Sequence, residues 1–496
     1  MTARLCLGQL AQLPAGLRPV PSPGDVSVGV VHLGIGAFHR AHQAVYTQKA
    51  MGADGTSGWG VCGVTQRSRS VVELLAPQDC LYSVLVPGDD ASPVTVVGSV
   101  REVLFAQDGP EEVVDRLARP ATKVISLTVS EKGYRFNPAT RRLSTDDPDL
   151  VADAQGRPPV TVIGQLVAGL QARRRQGGPP VTVLCCDNMT SNGTTLDQLV
   201  HDYCNLVAPA EADALVSWME THVTFPNTMV DRIVPATTDQ DLATAAALLG
   251  MEDRAVVVTE PFSQWVVEDR FAGPRPAWDK VGVELVRDVA PYEEVKLRLL
   301  NGSHSALAYL GALAGYDLVS QAVGDQALAA YVRALMDTDV TPTLAPPSGF
   351  DLEGYKDALM ARFANPALRH RTQQIAMDGS QKLPYRLLNP VRERLAVGAE
   401  PHHASLAVAA WMRYVSVARA DDGRQLEVKD PLLGQLRAAL AGRSAPSEVA
   451  DALLGVRAVF PADVAEHPVF RRLVVEALGV LSEHGAVGAL AAYGPA

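Results

Sequence analysis

Residues 27–50 read SVGVVHLGIGAFHRAHQAVYTQKA. From Val28 to Leu33 the run is short and mostly apolar, Gly34 and Gly36 follow, and a longer stretch compatible with a helix begins at Ala37. A short buried run, a glycine turn and a helical pattern read as strand, turn and helix, the first half of a βαβ unit. WGVCGV, from Trp59 to Val64, is a second short apolar run at the distance that a right-handed crossover needs. Further β-branched runs follow at VTVVGSV (Val94 to Val100), TKVISLTV (Thr122 to Val129) and VTVLCC (Val181 to Cys186), separated by helix-like stretches such as VIGQLVAGLQARRR. Strands that alternate with helices predict a mostly parallel sheet covered on both faces.

From Pro291 the pattern changes. EEVKLRLLNGSHSALAYLGALAGY, QALAAYVRALM, LEGYKDALMARFA and ASLAVAAWMRYV are rich in Ala and Leu at helical spacing, and strand candidates nearly vanish. The reading is an α/β, Rossmann-type dinucleotide-binding domain over residues 1–287 and a mainly α-helical domain, carrying substrate and catalytic groups, over 288–496. With no repeat and no low-complexity linker between them, the two are expected to pack closely and share a cleft.

The composition narrows the function. The chain has 496 residues, 47 % hydrophobic and 20 % charged, which is ample for a buried core and excludes bulk disorder. Lys and Arg number 44 against 55 Asp and Glu, a net charge of −11, which argues against nucleic acid or an anionic membrane as partner. Apolar stretches such as LAVAAWM around Trp411 fall short of the ~18 residues that a bilayer span needs. The opening MTARLCLGQLAQL makes a poor signal peptide. Cys6, Cys62, Cys80, Cys185, Cys186 and Cys204 form no CxxC pair and have no His at zinc spacing. The expectation is a reduced, cytoplasmic, metal-free protein that acts on a small molecule, as a monomer or homodimer.

The residues that carry chemistry fall into three groups. Gly34, Gly36, Ala37 and Phe38 occupy the place of the GxGxxG fingerprint, with His39 where the third glycine belongs. The first glycine permits the tight turn and the second lets a pyrophosphate approach the helix N-terminus, although a strand-to-helix turn needs glycine for its own sake too. After WGVCGV comes Gln66-Arg67-Ser68-Arg69-Ser70, without the acid that usually binds the ribose. Arg67 and Arg69 there suit a 2′-phosphate, or are two solvated arginines in a loop.

The second group is Lys296, Asn301 and His304 in EEVKLRLLNGSH. On an α-helix they lie within an arc of about 140°, with Lys296 and His304 about 12 Å apart along the axis, so a long lysine or a break near Gly302 is needed to bring the tips together. Taken singly, such a histidine is more often a core residue and such a lysine a solvated one. The third group is two polar islands, CCDNMTSNG with Asp187, Asn188 and Asn192, and TFPNTMVDR with Asp231. Each follows an apolar run, where open α/β sheets bind ligands, but Asp187 and Asn188 equally suit a helix cap and a turn.

With these residues in view, the sequence resembles the polyol-specific long-chain dehydrogenases, the family of mannitol 2-dehydrogenases and mannonate oxidoreductases (fructuronate reductases). The matching segments are VHLGIGAFHRAHQAVYT, SLTVSEKGY, CCDNMTSNG, FPNTMVDRIVP, EPFSQWVVED, PYEEVKLRLLNGSHSALAYLG and FANPALRHRTQQIAMDGSQKLPYRLLNPVR, which span nearly the whole chain. The resemblance implies a zinc-independent oxidation of a secondary alcohol with NAD, NADP being the alternative. It implies Lys296 as general base, Asn192 and Asn301 as the oxyanion site, His304 as the group that orients the substrate hydroxyl, Asp231 and Lys382 as contacts to the sugar chain, and Glu293 on a proton path to solvent. A lysine of unperturbed pKa ~10.4 serves near neutrality where desolvation and a cationic neighbour lower it.

Two departures bear on the substrate and cofactor. Eight residues before Lys382 the mannitol enzymes carry Arg, and here Gln374 stands there, while LRHRTQQIAMDGSQKLPYRLL resembles the mannonate branch and brings Arg369 and Arg371, either of which suits a carboxylate. MDTDVTPTLAP (Met336 to Pro346) looks more like the mannitol branch. The members that prefer NAD tend to place an acid near Arg69 or Ser70, and this chain has none there. The expected reaction is D-mannonate/D-fructuronate interconversion, with D-mannitol/D-fructose second. A non-catalytic sugar or dinucleotide sensor is the reading from another class, and it leaves Lys296 without a purpose.

Overall fold

The computed structural model describes residues 3–88, 92–137 and 140–493. The chain divides into two compact units, Met1–Val289 and Ala290–Ala496.

The first unit is built on a six-stranded sheet: β1 (Val28–Leu33), β2 (Gly60–Thr65), β3 (Val100–Phe105), β4 (Val124–Leu127), β5 (Val181–Cys185) and β6 (Val223–Thr224), in the spatial order β6-β5-β4-β1-β2-β3. All neighbours run parallel. This is the doubly wound order of a Rossmann fold, with the switch point between β1 and β4. Alternation along β1 explains the double cover: Val31 and Leu33 enter one core with Leu127, Leu166 and Leu196, while Val30 enters another with Tyr46, Trp265 and Trp278.

The run from Val94 to Val100 is not one strand. Val94–Val97 joins a separate three-stranded sheet with Tyr82–Leu85 and Val257–Val258, and β3 starts at Val100. The chain changes sheets at Gly98 and Ser99, where Gly98 N donates to Gln48 Oε1 (3.0 Å) and the Ser99 hydroxyl to Ala44 O (2.8 Å). The helix after the glycine turn is also interrupted: α1 (Ala37–Ala41) ends at His42, whose φ/ψ of −120°/−90° is not helical, and α2 runs Gln43–Asp54. His42 Nε2 lies 2.9 Å from Gln264 O, a tertiary bond that competes with regular helix.

The second unit is helical. Gly302–Leu313 is buried on every side, and one core gathers it with residues of His402–Val417, Gln326–Ala334 and Pro468–Tyr493. By length and composition Pro468–Tyr493 reaches what a bilayer span requires, contrary to the sequence reading. Phe470, Leu473, Leu478, Leu481 and Leu490 on it are nevertheless buried within the unit, and the helix breaks at Gly485, where Asp421 Oδ2 accepts from Ala486 N (2.6 Å). The cysteines are free thiols, buried apart from the partly buried Cys6. Among the described residues no three His, Cys, Asp or Glu are grouped to hold a metal ion.

Candidate active site

In the second unit Lys296–Asn301 is a turn of π-helix, entered from the helix Ala290–Val295 and continued by Gly302–Leu313. A π-turn closes i→i+5 bonds, and such bulges cluster at functional sites. Lys296 and Asn301 are five apart, so the wider turn sets Asn301 one turn above Lys296. On a regular α-helix the two would lie about 140° apart. The break therefore begins at the lysine itself, well before Gly302.

The π-turn is held from both sides. Arg298, 7 % exposed at its side chain, forks onto Glu393 (2.6 and 2.7 Å), donates to Thr343 O (2.6 Å) and pairs with Glu294. Two residues from Lys296, it points to another face. The Asn301 carbonyl accepts from Ser305 Oγ (3.1 Å) and from Arg386 Nη1 (3.4 Å), which also reaches Ser305 Oγ (3.2 Å). A Cβ at Gly302 would lie 3.0 Å from Arg386 O, so glycine lets the Arg386 backbone close on this turn.

Lys296 and His304 are each 7 % exposed. The His304 ring lies 4.7 Å from Phe363 and 5.2 Å, edge-on, from His370, and its Nε2 is buried with no hydrogen-bond partner among the described residues. Its pKa is held well below the ordinary histidine value, first by burial and then by the charges of His370, Arg386, Arg362 and Lys296. Burial likewise lowers His370. A buried, neutral imidazole on which the charges of Arg386, Arg362 and Lys296 act is the centre of this site.

Arg362, His370 and Arg386 were missed in the sequence. Arg362 had a signal: in LEGYKDALMARFA it falls at helical spacing from Leu359 and beside Phe363, a charge on the buried face of the helix Leu352–Ala364. The structure leaves Arg369 and Arg371 exposed, Arg369 with a left-handed φ of 44°, and neither is among the charges that act on His304. Lys382 Nζ donates to the carbonyls of Ile375 (3.2 Å) and Met377 (2.5 Å) in its own loop. Glu293, partly buried, is one helical turn before Lys296.

The first unit presents its ligand groups at the carboxyl ends of its strands. Gly34, with φ +103°, could carry no side chain, because a Cβ would stand 2.1 Å from Thr128 O. At Gly36 a Cβ would meet nothing nearer than Gly34 O at 3.9 Å, so the fold itself does not demand glycine there. A backbone left bare without internal need fits a pyrophosphate that approaches Gly36, Ala37 and Phe38. His39 is fully buried and stacked 3.4 Å from His32, which bridges Ser126 Oγ and Thr128 Oγ1 at 2.8 Å each. A flat ring thus fills the place of the third glycine.

Asp187 accepts from Val129 N (2.8 Å), Ser130 N (3.0 Å) and the Tyr134 hydroxyl (2.6 Å), which pins the turn after β4. Burial raises its pKa. Asn192 Nδ2 donates to Asp187 O, Thr228 O and Thr228 Oγ1 (2.9–3.1 Å), and its Oδ1 accepts from Thr228 N. Asn192 is therefore a brace of this unit, and to reach a substrate oxygen it must give up one of these bonds. Asp231 is buried at the end of the strand Thr228–Asp231, opposite Gln264. Arg67 is exposed, and Arg69 pairs with Asp108.

Residues 28–280 match the mannitol dehydrogenase Rossmann domain, and residues 288–481 match the mannitol dehydrogenase C-terminal domain. The chain belongs to the mannitol dehydrogenase family. It is 43 % identical to the D-mannonate oxidoreductase of Escherichia coli K12 over 96 % of this chain and 97 % of that one. It is 37 % identical to the mannitol 2-dehydrogenase of Pyricularia oryzae over 97 % and 96 %. A solved Pseudomonas fluorescens mannitol 2-dehydrogenase, a ternary complex with NAD and D-mannitol, superposes with a TM-score of 0.88 at 36 % identity, covering 99 % of each chain. As a member of the mannitol dehydrogenase family the protein is an oxidoreductase that acts on CH–OH.

Proposed function

We propose that the protein interconverts D-mannonate and D-fructuronate with NAD as hydride carrier. The observation that supports the acid over the polyol is two arginines, Arg362 and Arg386, whose charges act on the buried, neutral His304. A carboxylate taken out of water needs a cationic partner, and arginine offers a planar fork for it. A neutral polyol can accept hydrogen bonds from these arginines but offers them no opposite charge. The relatives include both kinds of enzyme.

In this reading Lys296, as the neutral amine, takes the proton of the substrate hydroxyl. Asn301, brought over the lysine by the π-turn, donates an amide hydrogen bond to the developing alkoxide without adding a second titrating group. His304, kept neutral, donates or accepts through its ring nitrogens and orients the hydroxyl. Glu293 carries the proton onward to solvent. NAD bound at Gly34, Gly36, Ala37 and Phe38 supplies the hydride acceptor. The family resemblance assigns sugar-chain contacts to Asp231 and to Lys382, and Asn192 braces Thr228, the first residue of the strand that ends at Asp231.

A substrate panel tests this. Mannonate, altronate, mannitol and arabinitol are mixed with enzyme and NAD, and reduced nicotinamide is followed by absorbance. Mannonate should give the highest kcat/KM. A preference for mannitol would move the protein to the mannitol 2-dehydrogenase activity, and no turnover with any substrate would favour the sensor reading.

A further inference from the structure

We infer that Asp108 is the residue that selects NAD over NADP. In a Rossmann half the residues after the second strand meet the adenosine ribose, and an acid there accepts from the 2′-hydroxyl. Here β2 is followed by Gln66-Arg67-Ser68-Arg69-Ser70, which by charge alone would welcome a 2′-phosphate.

The structure supplies the missing acid from the neighbouring strand. Thr65 stands opposite Phe105 in the parallel pair of β2 and β3, and Ala106 N donates to Thr65 O (2.9 Å). Asp108 N bonds back to Phe105 O (3.0 Å), and Gln107 Nε2 reaches Gln66 O (3.2 Å), so the turn after β3 lies against the turn after β2. Asp108 forms an ion pair with Arg69, whose guanidinium carbon lies 5.3 Å from the centre of the Phe105 ring. One of the two arginines is thus neutralised and held on an aromatic face. A 2′-phosphate that approached Arg69 would meet the Asp108 carboxylate, whereas a ribose hydroxyl can donate to it. The pair is half exposed, 52 % at Arg69 and 49 % at Asp108, so it contributes little to the fold and its variants should fold normally.

The inference rests on the dinucleotide reading of this domain. Its test is kcat/KM for NAD and for NADP, with one sugar substrate, in the wild-type protein, Asp108→Asn, Asp108→Ala and the double variant Arg69→Ala/Asp108→Asn, all with matching unfolding midpoints. Release of Arg69 should raise the NADP-to-NAD ratio about fivefold or more in both single variants. The double variant, which loses the carboxylate but has no Arg69 to release, should gain less than the single variants. An unchanged ratio in the single variants would overturn the role of Asp108, and an equal gain in the double variant would overturn the part played by its ion pair with Arg69. Wild-type protein inactive with either cofactor would overturn the dinucleotide reading itself, and the inference with it.

Discussion

Lys296 is where the chemistry is most exposed to a single substitution. Lys296→Ala should lower kcat by about 10² to 10⁴-fold while cofactor affinity, measured by fluorescence titration, stays near wild type. A variant with wild-type kcat would end the assignment of the base. Lys296, Asn301 and His304 were legible in the sequence because three polar groups interrupt an apolar run at fixed spacing. Arg369 and Arg371 suggest themselves as the carboxylate partner because LRHRTQQIAMDGSQKLPYRLL resembles the mannonate branch and either arginine could fork a carboxylate. Both stand exposed, whereas the charges of Arg362 and Arg386 act on His304 from separate elements. A contact between residues so far apart in the chain leaves no periodic trace in it.

At the scale of elements the π-turn Lys296–Asn301 matters most, and sequence periodicity missed it because it assumes a regular helix. Its geometry is paid for by Arg298 and the Glu393 fork behind it. Removing a buried, doubly bonded guanidinium strands Thr343 O and leaves Glu393 unpaired, so Arg298→Ala should cost on the order of 2–3 kcal/mol in denaturant unfolding. Arg298→Lys should recover little, because an ammonium cannot make the fork. A loss below about 0.5 kcal/mol would show that the turn holds without it. The strands of the doubly wound sheet were legible as short apolar runs between helical stretches. The step from Val94–Val97 into β3 was not, because a change of sheet at Gly98 and Ser99 depends on tertiary partners in α2.

For the molecule as a whole, buried histidines set the response to acid. Burial pushes His32 down to about 3 and holds His39 and His304 well below the ordinary value. Below about pH 6.5 these histidines take up protons only on unfolding, so the stability they confer is lost as pH falls from there, by up to about 1.4 kcal/mol per pH unit for each. Thermal unfolding midpoints should therefore drop between pH 6.5 and 5, before ordinary carboxylates titrate. A flat midpoint over that window would mean that these rings are protonated in the folded protein. The buried His304, on which the charges of Arg362 and Arg386 act, is also what supports a sugar acid as the proposed substrate. A charge-assisted bond to a carboxylate contributes about 1.5 to 3 kcal/mol, roughly 10 to 150-fold in kcat/KM. The most direct measurement is the ratio of kcat/KM for D-fructuronate over D-fructose with NADH, in wild type and in Arg362→Gln and Arg386→Gln. We predict a ratio well above one in wild type that falls by about that factor in at least one variant, with fructose little affected in Arg362→Gln and slowed in Arg386→Gln because Arg386 also braces the π-turn; a wild-type ratio below one, or no fall in either variant, would count against a sugar acid.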